Sequence, residues 1–181
     1  MRLFIRKRSC GFTLVEMMVS TTIVALASGI MMAVLRMGQQ SWQVGQARMT
    51  VSMELRRGLD AMSRELASSQ SGKVTFPPVD GAPYTSITFS VPQEINNSVL
   101  DGSGNLQWSA PISYSLGANN GNQLQRIQSN TTAVLANGVT VLQFRRQTAN
   151  IVEISMTVLR GTNTGDFTNQ GTLSTQVRLR N

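Results

Sequence analysis

The sequence predicts an α+β fold in which one long N-terminal helix packs on an antiparallel β-sheet. Proline is absent before Pro77, and helix-forming residues dominate from Phe12 to about Gln70. Beyond about Ser71 the hydrophobic period shortens to two, which is typical of strands with one buried face. Turn-forming residues separate these alternating segments. A helix followed by antiparallel strands is an α+β arrangement.

Composition excludes several common functions. The 181-residue chain has no histidine, which excludes Ser-His-Asp catalysis and His-ligated metal sites. Its single cysteine, Cys10, cannot form an internal disulfide. The net charge is +7, but four of the 16 basic residues lie within the first eight positions. The remaining charges give only +3, so we expect no nucleic-acid partner. Because the chain has no histidine, we also expect no enzyme and no metal or other cofactor.

The first half of the predicted helix is apolar enough to span a membrane. Residues 17–35 carry no charge, and this length of helix spans about 28 Å, close to the thickness of the bilayer hydrocarbon. More basic residues precede this segment than follow it closely, so the N-terminus should stay cytoplasmic and the rest should be exported. Two alternatives are a secretory signal cut after Ala27 and a plain single-pass anchor.

Glu16 is the only charged residue in the apolar run from Phe12 to Leu35, and it needs a partner or a function. A carboxylate in a membrane helix costs on the order of 3 kcal/mol and is a functional hypothesis by default. Residues 6–16 read RKRSCGFTLVE, which is a basic leader followed by Gly11, Phe12 and Glu16. This stretch resembles the leader and cleavage motif of type IV prepilins. The resemblance implies that a membrane-embedded prepilin peptidase cuts after Gly11 and N-methylates Phe12.

The spacing suggests how Glu16 acts in assembly. Cleavage after Gly11 creates a cationic amine on Phe12, one helical turn from Glu16. A buried carboxylate is costly alone but tolerable beside an ammonium group. In a filament the amine of an incoming subunit can therefore meet Glu16 of its neighbour. Cleavage also removes Cys10, which lacks the preceding apolar residues that a lipidation site requires.

The second half of the predicted helix is amphipathic. Leu55, Leu59, Met62 and Leu66 recur at helical spacing on one face. We expect this stripe to pack on the protein's own sheet, with a partner-binding groove as the alternative. Four glycines lower the helix propensity enough to allow bending or local melting, namely Gly29, Gly38, Gly45 and Gly58. The predicted segments are a cleaved leader (1–11), a transmembrane assembly helix (12–36), its amphipathic continuation (37–70) and a β-rich domain (71–181).

Alternating apolar residues predict six strands in the β-rich domain. The predicted strands are 87–91, 112–116, 123–127, 139–144, 154–158 and 173–179. A loop rich in proline, with Pro77, Pro78, Gly81 and Pro83, connects the helix to the sheet. Turns are predicted at 101–105, 117–122, 137–138 and 161–165.

Short motifs in this domain resemble those of minor subunits of the prepilin superfamily. They are ISYSL at 112–116, LQR at 124–126, VLANGV at 134–139 and VRLRN at 177–181. The resemblance is to J-type minor pseudopilins of type II secretion and to W-type minor pilins. No paired cysteines lie near the C-terminus, which departs from many major pilins. The resemblance therefore implies a minor subunit.

Other candidate sites have simpler explanations. Residues 101–105 alternate oxygen ligands like a calcium loop, but Ile112 occupies the position where an EF-hand needs glutamate, so a hairpin turn is favoured. Calcium binding by a second oxygen-rich loop stays open, with Asn163, Asp166 and Asn169 as its ligands. Arg145 and Arg146 end a predicted strand, and we expect them on a solvated edge rather than in a DNA-binding patch.

The sequence as a whole predicts a structural minor subunit, at the tip or initiating end, of a type IV pilus or a type II secretion pseudopilus. The expected partners are prepilin peptidase, other pilin or pseudopilin subunits, an inner-membrane assembly platform and the membrane. The expected location is the bacterial inner membrane, with a periplasmic C-terminal domain, and then the filament. The alternatives are a ligand- or DNA-binding pilin or adhesin subunit, and an ordinary secreted protein.

Overall fold

A computed structural model describes residues 11–94, 98–118, 120–161 and 168–180. The chain divides into two compact units, Met1–Trp42 and Gln43–Asn181. Helix α1 (Leu14–Ser68) begins in the first unit and ends in the second. It includes all four glycines that were expected to weaken it. Its hydrogen-bonded backbone is continuous as an α-helix over its whole length.

A short 3-10 turn, Ser71–Lys73, connects α1 to the strands, of which the described parts of the chain contain nine. These are β1 (Val74–Phe76), β2 (Pro83–Tyr84), β3 (Ile87–Phe89), β4 (Ile112–Gly117), β5 (Gln123–Gln128), β6 (Thr131–Asn137), β7 (Val139–Thr148), β8 (Ile151–Gly161) and β9 (Thr168–Arg178). One sheet has the order β1-β3-β4-β5-β6, and the other has the order β2-β7-β8-β9. Every neighbouring pair of strands is antiparallel. The α+β fold class is confirmed, with two sheets in place of the single predicted sheet.

The chain changes from one sheet to the other at Gly138. Its φ of 72° is strained for residues other than glycine. A Cβ here would lie 2.8 Å from the backbone oxygen of Leu159, so the turn also needs the missing side chain. Gly138 accepts a hydrogen bond from the Leu159 amide at 2.8 Å. The turn therefore directs β7 onto β8 instead of continuing the first sheet.

Three strands were not predicted. Strands β1 and β2 have only three and two residues, which is too short for a periodic pattern to be visible. Strand β6 is exposed over its first four residues, so apolar alternation does not mark it. Strand β9 begins at Thr168, five residues before the predicted start, because it pairs with β8 along its whole length.

The core of the second unit lies between α1 and both sheets. A Cβ added at Gly58 would lie 2.8 Å from the Met156 side chain on β8 and 3.0 Å from that of Leu124 on β5. The absence of a side chain at this position therefore lets the helix approach both sheets closely. Across the interior, Phe89 and Tyr114 stack with ring centroids 6.0 Å apart.

One flank of α1 is tied to the first sheet by acidic side chains. Arg126 Nε donates to Glu65 Oε1 at 2.9 Å, and Tyr114 Oη donates to Glu65 Oε2 at 2.9 Å. Burial, with Glu65 beside it, raises the pKa of the Tyr114 phenol. The backbone amide of Asn137 donates to Glu54 Oε2 at 3.1 Å. These contacts fix the helix to β4, β5 and β6.

Arg146 is buried, whereas the sequence predicted that it lies on a solvated edge of the sheet. Arg145 is exposed, whereas Arg146 is buried and its burial lowers the pKa of the guanidinium. The guanidinium donates to four backbone carbonyl oxygens, those of Ser71, Val74, Pro77 and Ala149. The prediction was wrong for Arg146 because it took charge as a sign of exposure. Here the carbonyl dipoles stabilise the buried cation and hold the loop after α1 against β7.

Candidate processing and assembly site

The described residues begin three positions before α1. Gly11, Phe12 and Thr13 are exposed and outside the helix, and Phe12 has 77% of its surface accessible. A Cβ at Gly11 would meet nothing within 4 Å. The peptide bond between Gly11 and Phe12 is therefore reachable and is not protected by helical hydrogen bonds. The predicted leader before Gly11, with Cys10, lies outside the described residues.

A reciprocal cap starts the helix. The Glu16 amide donates to Thr13 Oγ1 at 3.2 Å, and the Thr13 amide donates to Glu16 Oε2 at 2.9 Å. The Thr13 hydroxyl also donates to Glu16 Oε2 at 3.0 Å. This is a capping box, which satisfies backbone amides that have no partner inside the helix. Glu16 also lies near the positive end of the helix dipole.

The capping box is a role of Glu16 that the sequence analysis missed. The signal was present, because Thr13 and Glu16 have the Thr-x-x-Glu spacing of a capping box directly before an apolar helix. From its apolar neighbours in the sequence, Glu16 has no obvious partner within the chain, whereas in the structure it is hydrogen-bonded to Thr13. An assembly role must therefore be separated experimentally from this capping role.

The few polar side chains in the apolar part of α1 also fit a lipid environment. Every residue from 11 to 42 is exposed, and α1 is the one helix in the described part of the chain that is long and apolar enough to cross a membrane. Its hydroxyl side chains bond back to the helix: Thr21 and Thr22 donate to Met18, and Ser28 donates to Val24. Such bonds satisfy polar groups without water.

The four residues of the amphipathic stripe belong to the core of the second unit. Leu55 is 6% exposed, Leu59 is 3% exposed, and Met62 and Leu66 are 1% exposed. They lie in one cluster with buried residues of both sheets. These leucines and Met62 therefore contribute to the folding of the second unit.

The candidate ligand loops have ordinary roles where the structure describes them. The Asp101 Oδ1 atom accepts from the amides of Ser103 and Asn105, both at 2.8 Å, which lowers the pKa of Asp101. The carboxylate is thus engaged in closing a turn. Asn163 and Asp166 lie outside the described residues, and Asn169 lies on β9. No group of three or more His, Cys, Asp or Glu side chains suited to a metal occurs among the described residues.

Comparison with protein families gives one match. Residues 6–32 match the prokaryotic N-terminal methylation motif. The match includes Gly11, Phe12, the capping box and most of the apolar half of α1. Searches of curated proteins and of solved structures found no match. Residues 6–32 therefore carry the type IV prepilin-like signature, which supports processing by prepilin peptidase, anchoring in a membrane and assembly with other pilins.

Proposed function

We propose that this chain is a minor structural subunit of a type IV pilus or a type II secretion pseudopilus and acts near the tip or in initiation. The methylation motif, placed at an accessible Gly11–Phe12 bond before a capped apolar helix, is the observation that carries the proposal. The first unit would then be the anchoring and assembly part. The second unit would be the globular part displayed on the filament.

The charge pattern supports an orientation with the N-terminus in the cytoplasm. Four basic residues lie within the first eight positions, before the apolar segment. We therefore place the second unit in the periplasm before assembly and propose that an inner-membrane assembly platform receives the subunit. A minor role is supported by the short motifs of the β-rich region and by the absence of paired cysteines. The lack of histidine supports a structural role over catalysis.

Intact-mass and N-terminal analysis of membrane-extracted protein tests the processing step. We expect a mature chain that starts at N-methylated Phe12. A Gly11→Val variant should keep the full leader, because the branched side chain obstructs the peptidase at the cut. An Ala27→Leu variant is the control and should be processed normally. A native chain that starts at Met1 or at Ser28 would contradict the proposal.

The assembly role of Glu16 is tested by variants that separate charge from capping. Glu16→Gln keeps a hydrogen-bond acceptor for Thr13 but removes the charge, and Thr13→Val removes the capping hydroxyl but keeps the charge. We expect Glu16→Gln and Glu16→Val to be processed and inserted but to lower filament number or secretion sharply. Glu16→Asp should be intermediate, because its shorter side chain reaches less far.

Thr13→Val should assemble close to normally. Normal assembly of Glu16→Gln at normal expression would refute pairing between Glu16 and a neighbour's Phe12 amine. Equal losses in Glu16→Gln and Thr13→Val would also refute it, because they would assign the effect to the helix cap. In both cases the processing result stands by itself.

A further inference from the structure

A groove in the second unit runs between α1 and the edge strand β9. It has a volume of about 650 Å³. Its lining consists of one flank of the helix and the first part of the strand, namely Arg48, Val51, Ser52, Leu55, Arg56 and residues 168–173. The strand approaches the helix closely at Gly171, because a Cβ there would lie 2.7 Å from Val51 Cγ1 and 2.9 Å from Leu55 Cδ1.

The backbone edge of β9 forms one wall of the groove. Successive side chains of a strand point to opposite faces, and residues from both faces of β9 line the groove, so the groove reaches the edge of the strand. In the described part of the sheet, β9 pairs with β8 and has no strand on its other side. Residues 168–177 include no charged residue and no proline. Neither a charged side chain nor a proline therefore hinders pairing along residues 168–177.

The groove has an unbalanced positive charge. Glu54 and Glu65 lie on the flank of α1 that faces the first sheet, whereas Arg48 and Arg56 lie on the groove side. Among the described residues, neither arginine has an ion-pair partner and the groove lining includes no acidic side chain. Asn169 also lines the groove, and its buried Nδ2 donor has no acceptor within the described parts of the chain.

We propose that this groove binds an extended, carboxylate-bearing segment of another polypeptide, which adds a strand to β9 and places acidic side chains beside Arg48 and Arg56. The strand edge supplies main-chain hydrogen bonds, and the arginines select for acidic residues. Arg48 and Arg56 are about 12 Å apart along the helix axis. Carboxylates four residues apart in a strand are about 13 Å apart. The fitting segment therefore has the spacing Glu-x-x-x-Glu.

The groove fits a peptide better than other anions. Leu173 lines the groove and is 42% exposed, so it provides an apolar surface, which side chains of a peptide can cover and phosphates cannot. Nucleic acid binding commonly needs more phosphate contacts than two arginines supply. The inference depends on the second unit alone and does not depend on the proposed role in a filament.

Binding of designed peptides to the full-length chain in detergent tests the proposal. The probe is a fluorescent peptide of about twelve residues with alternating threonine and valine and two glutamates four residues apart. We expect saturable binding that weakens on the order of tenfold when glutamines replace the glutamates. N-methylation of alternate backbone amides on the pairing edge should also abolish binding, because it removes main-chain donors. Equal binding of the N-methylated peptide would overturn strand addition.

Substitutions in the helix test the site. Arg48→Gln with Arg56→Gln should lower peptide affinity on the order of tenfold. Arg57→Gln with Arg64→Gln is the matched control on the same helix outside the groove, and it should leave affinity unchanged. Equal losses in the two double variants would overturn the site. A single-stranded oligonucleotide that competes with the peptide as well as unlabelled peptide does would overturn the assignment to an acidic peptide. Self-association of the chain that fills the groove would overturn the assignment to another protein.

Discussion

The two units of the chain differ in whether their apolar side chains are exposed or buried. In the first unit every described side chain is exposed, including large apolar ones such as Leu26 and Ile30. In the second unit Leu59 is 3% exposed and Phe144 is fully buried, and both belong to one core. The same helix contributes to both units. The difference shows that forming a helix does not by itself determine which side chains are buried. The apolar half of α1 has no buried residue, whereas the amphipathic half buries one face in the core.

This contrast has an energetic meaning. Burial of an apolar side chain away from water stabilises by about 1.5–3 kcal/mol. The second unit obtains this gain from its own sheets. The apolar side chains described in the first unit are exposed and do not obtain this gain from that unit itself. We expect them to obtain it from lipid or from other subunits. Stability of the second unit should therefore be insensitive to the apolar half of α1, and membrane insertion and assembly should depend on it.

The largest expected effect is the loss of a core side chain from the second unit. Leu59→Ala should lower the free energy of unfolding by roughly 2–4 kcal/mol, because it leaves a cavity between α1 and the sheets. Leu26→Ala is the matched variant in the first unit and should leave this free energy unchanged. Chemical denaturation monitored by tryptophan fluorescence measures both. A near-zero effect of Leu59→Ala would mean that the stripe does not stabilise this unit.

Glycine substitutions sharpen the same comparison. Gly171→Ala should destabilise the second unit by about 1–3 kcal/mol, since its Cβ would collide with Val51 and Leu55. Gly38→Ala adds a Cβ that meets nothing within 4 Å, and it should stabilise the helix by up to about 1 kcal/mol. Denaturation and amide exchange measure these changes. A stabilising Gly171→Ala would mean that the helix does not approach β9 closely in solution.

Alkaline pH should unfold the second unit through Tyr114. Burial beside Glu65 raises the pKa of this phenol above its ordinary value of about 10, so the folded state prefers the neutral form. The stabilising contribution is complete below about pH 10 and falls by on the order of 1 kcal/mol per pH unit above it. Phenolate absorbance of the Tyr84→Phe variant, in which Tyr114 is the remaining tyrosine, follows this ionisation.

In that variant the phenolate should form together with unfolding. Ionisation near pH 10 while the second unit remains folded would contradict the burial of Tyr114. Tyr114→Phe is the control and should lose the alkaline decrease in stability that this phenol causes.

The smallest expected effect lies at the start of the helix. Thr13→Ala should cost about 1 kcal/mol of local helix stability, because it removes the hydroxyl that accepts from the Glu16 amide and donates to Glu16 Oε2. Amide exchange in the first turn of α1 measures this loss. The unfolding of the second unit should not change. A change there would contradict the independence of the two units.

The sequence predicted the fold class well because both periodicities are strong. The apolar run of the first unit and the alternation in β4, β7 and β8 give clear signals, and these elements lie close to their predicted positions. The division into two sheets was not predictable, because it depends on the conformation at Gly138 and on its contact with Leu159. Periodicity reports which face is buried and does not report which strand is the neighbour.

The candidate site shows the same limit. Gly11, Phe12 and Glu16 are recognisable in a linear motif, because the signature depends on order and spacing along the chain. The groove beside β9 was not predictable, because it depends on which flank of α1 faces that strand. Arg146 was misjudged for a related reason: four carbonyl groups from separate parts of the chain surround it.

The central claim is that the second unit folds by itself and that the apolar half of α1 serves the membrane and assembly. Equilibrium unfolding of a truncated chain that begins at Gln39 tests this claim most directly. We predict a soluble protein with one cooperative unfolding transition that chelator and reductant do not affect. Leu59→Ala should lower its free energy of unfolding by the same amount as in the full chain. An aggregated chain, or one without a cooperative transition, would contradict the account.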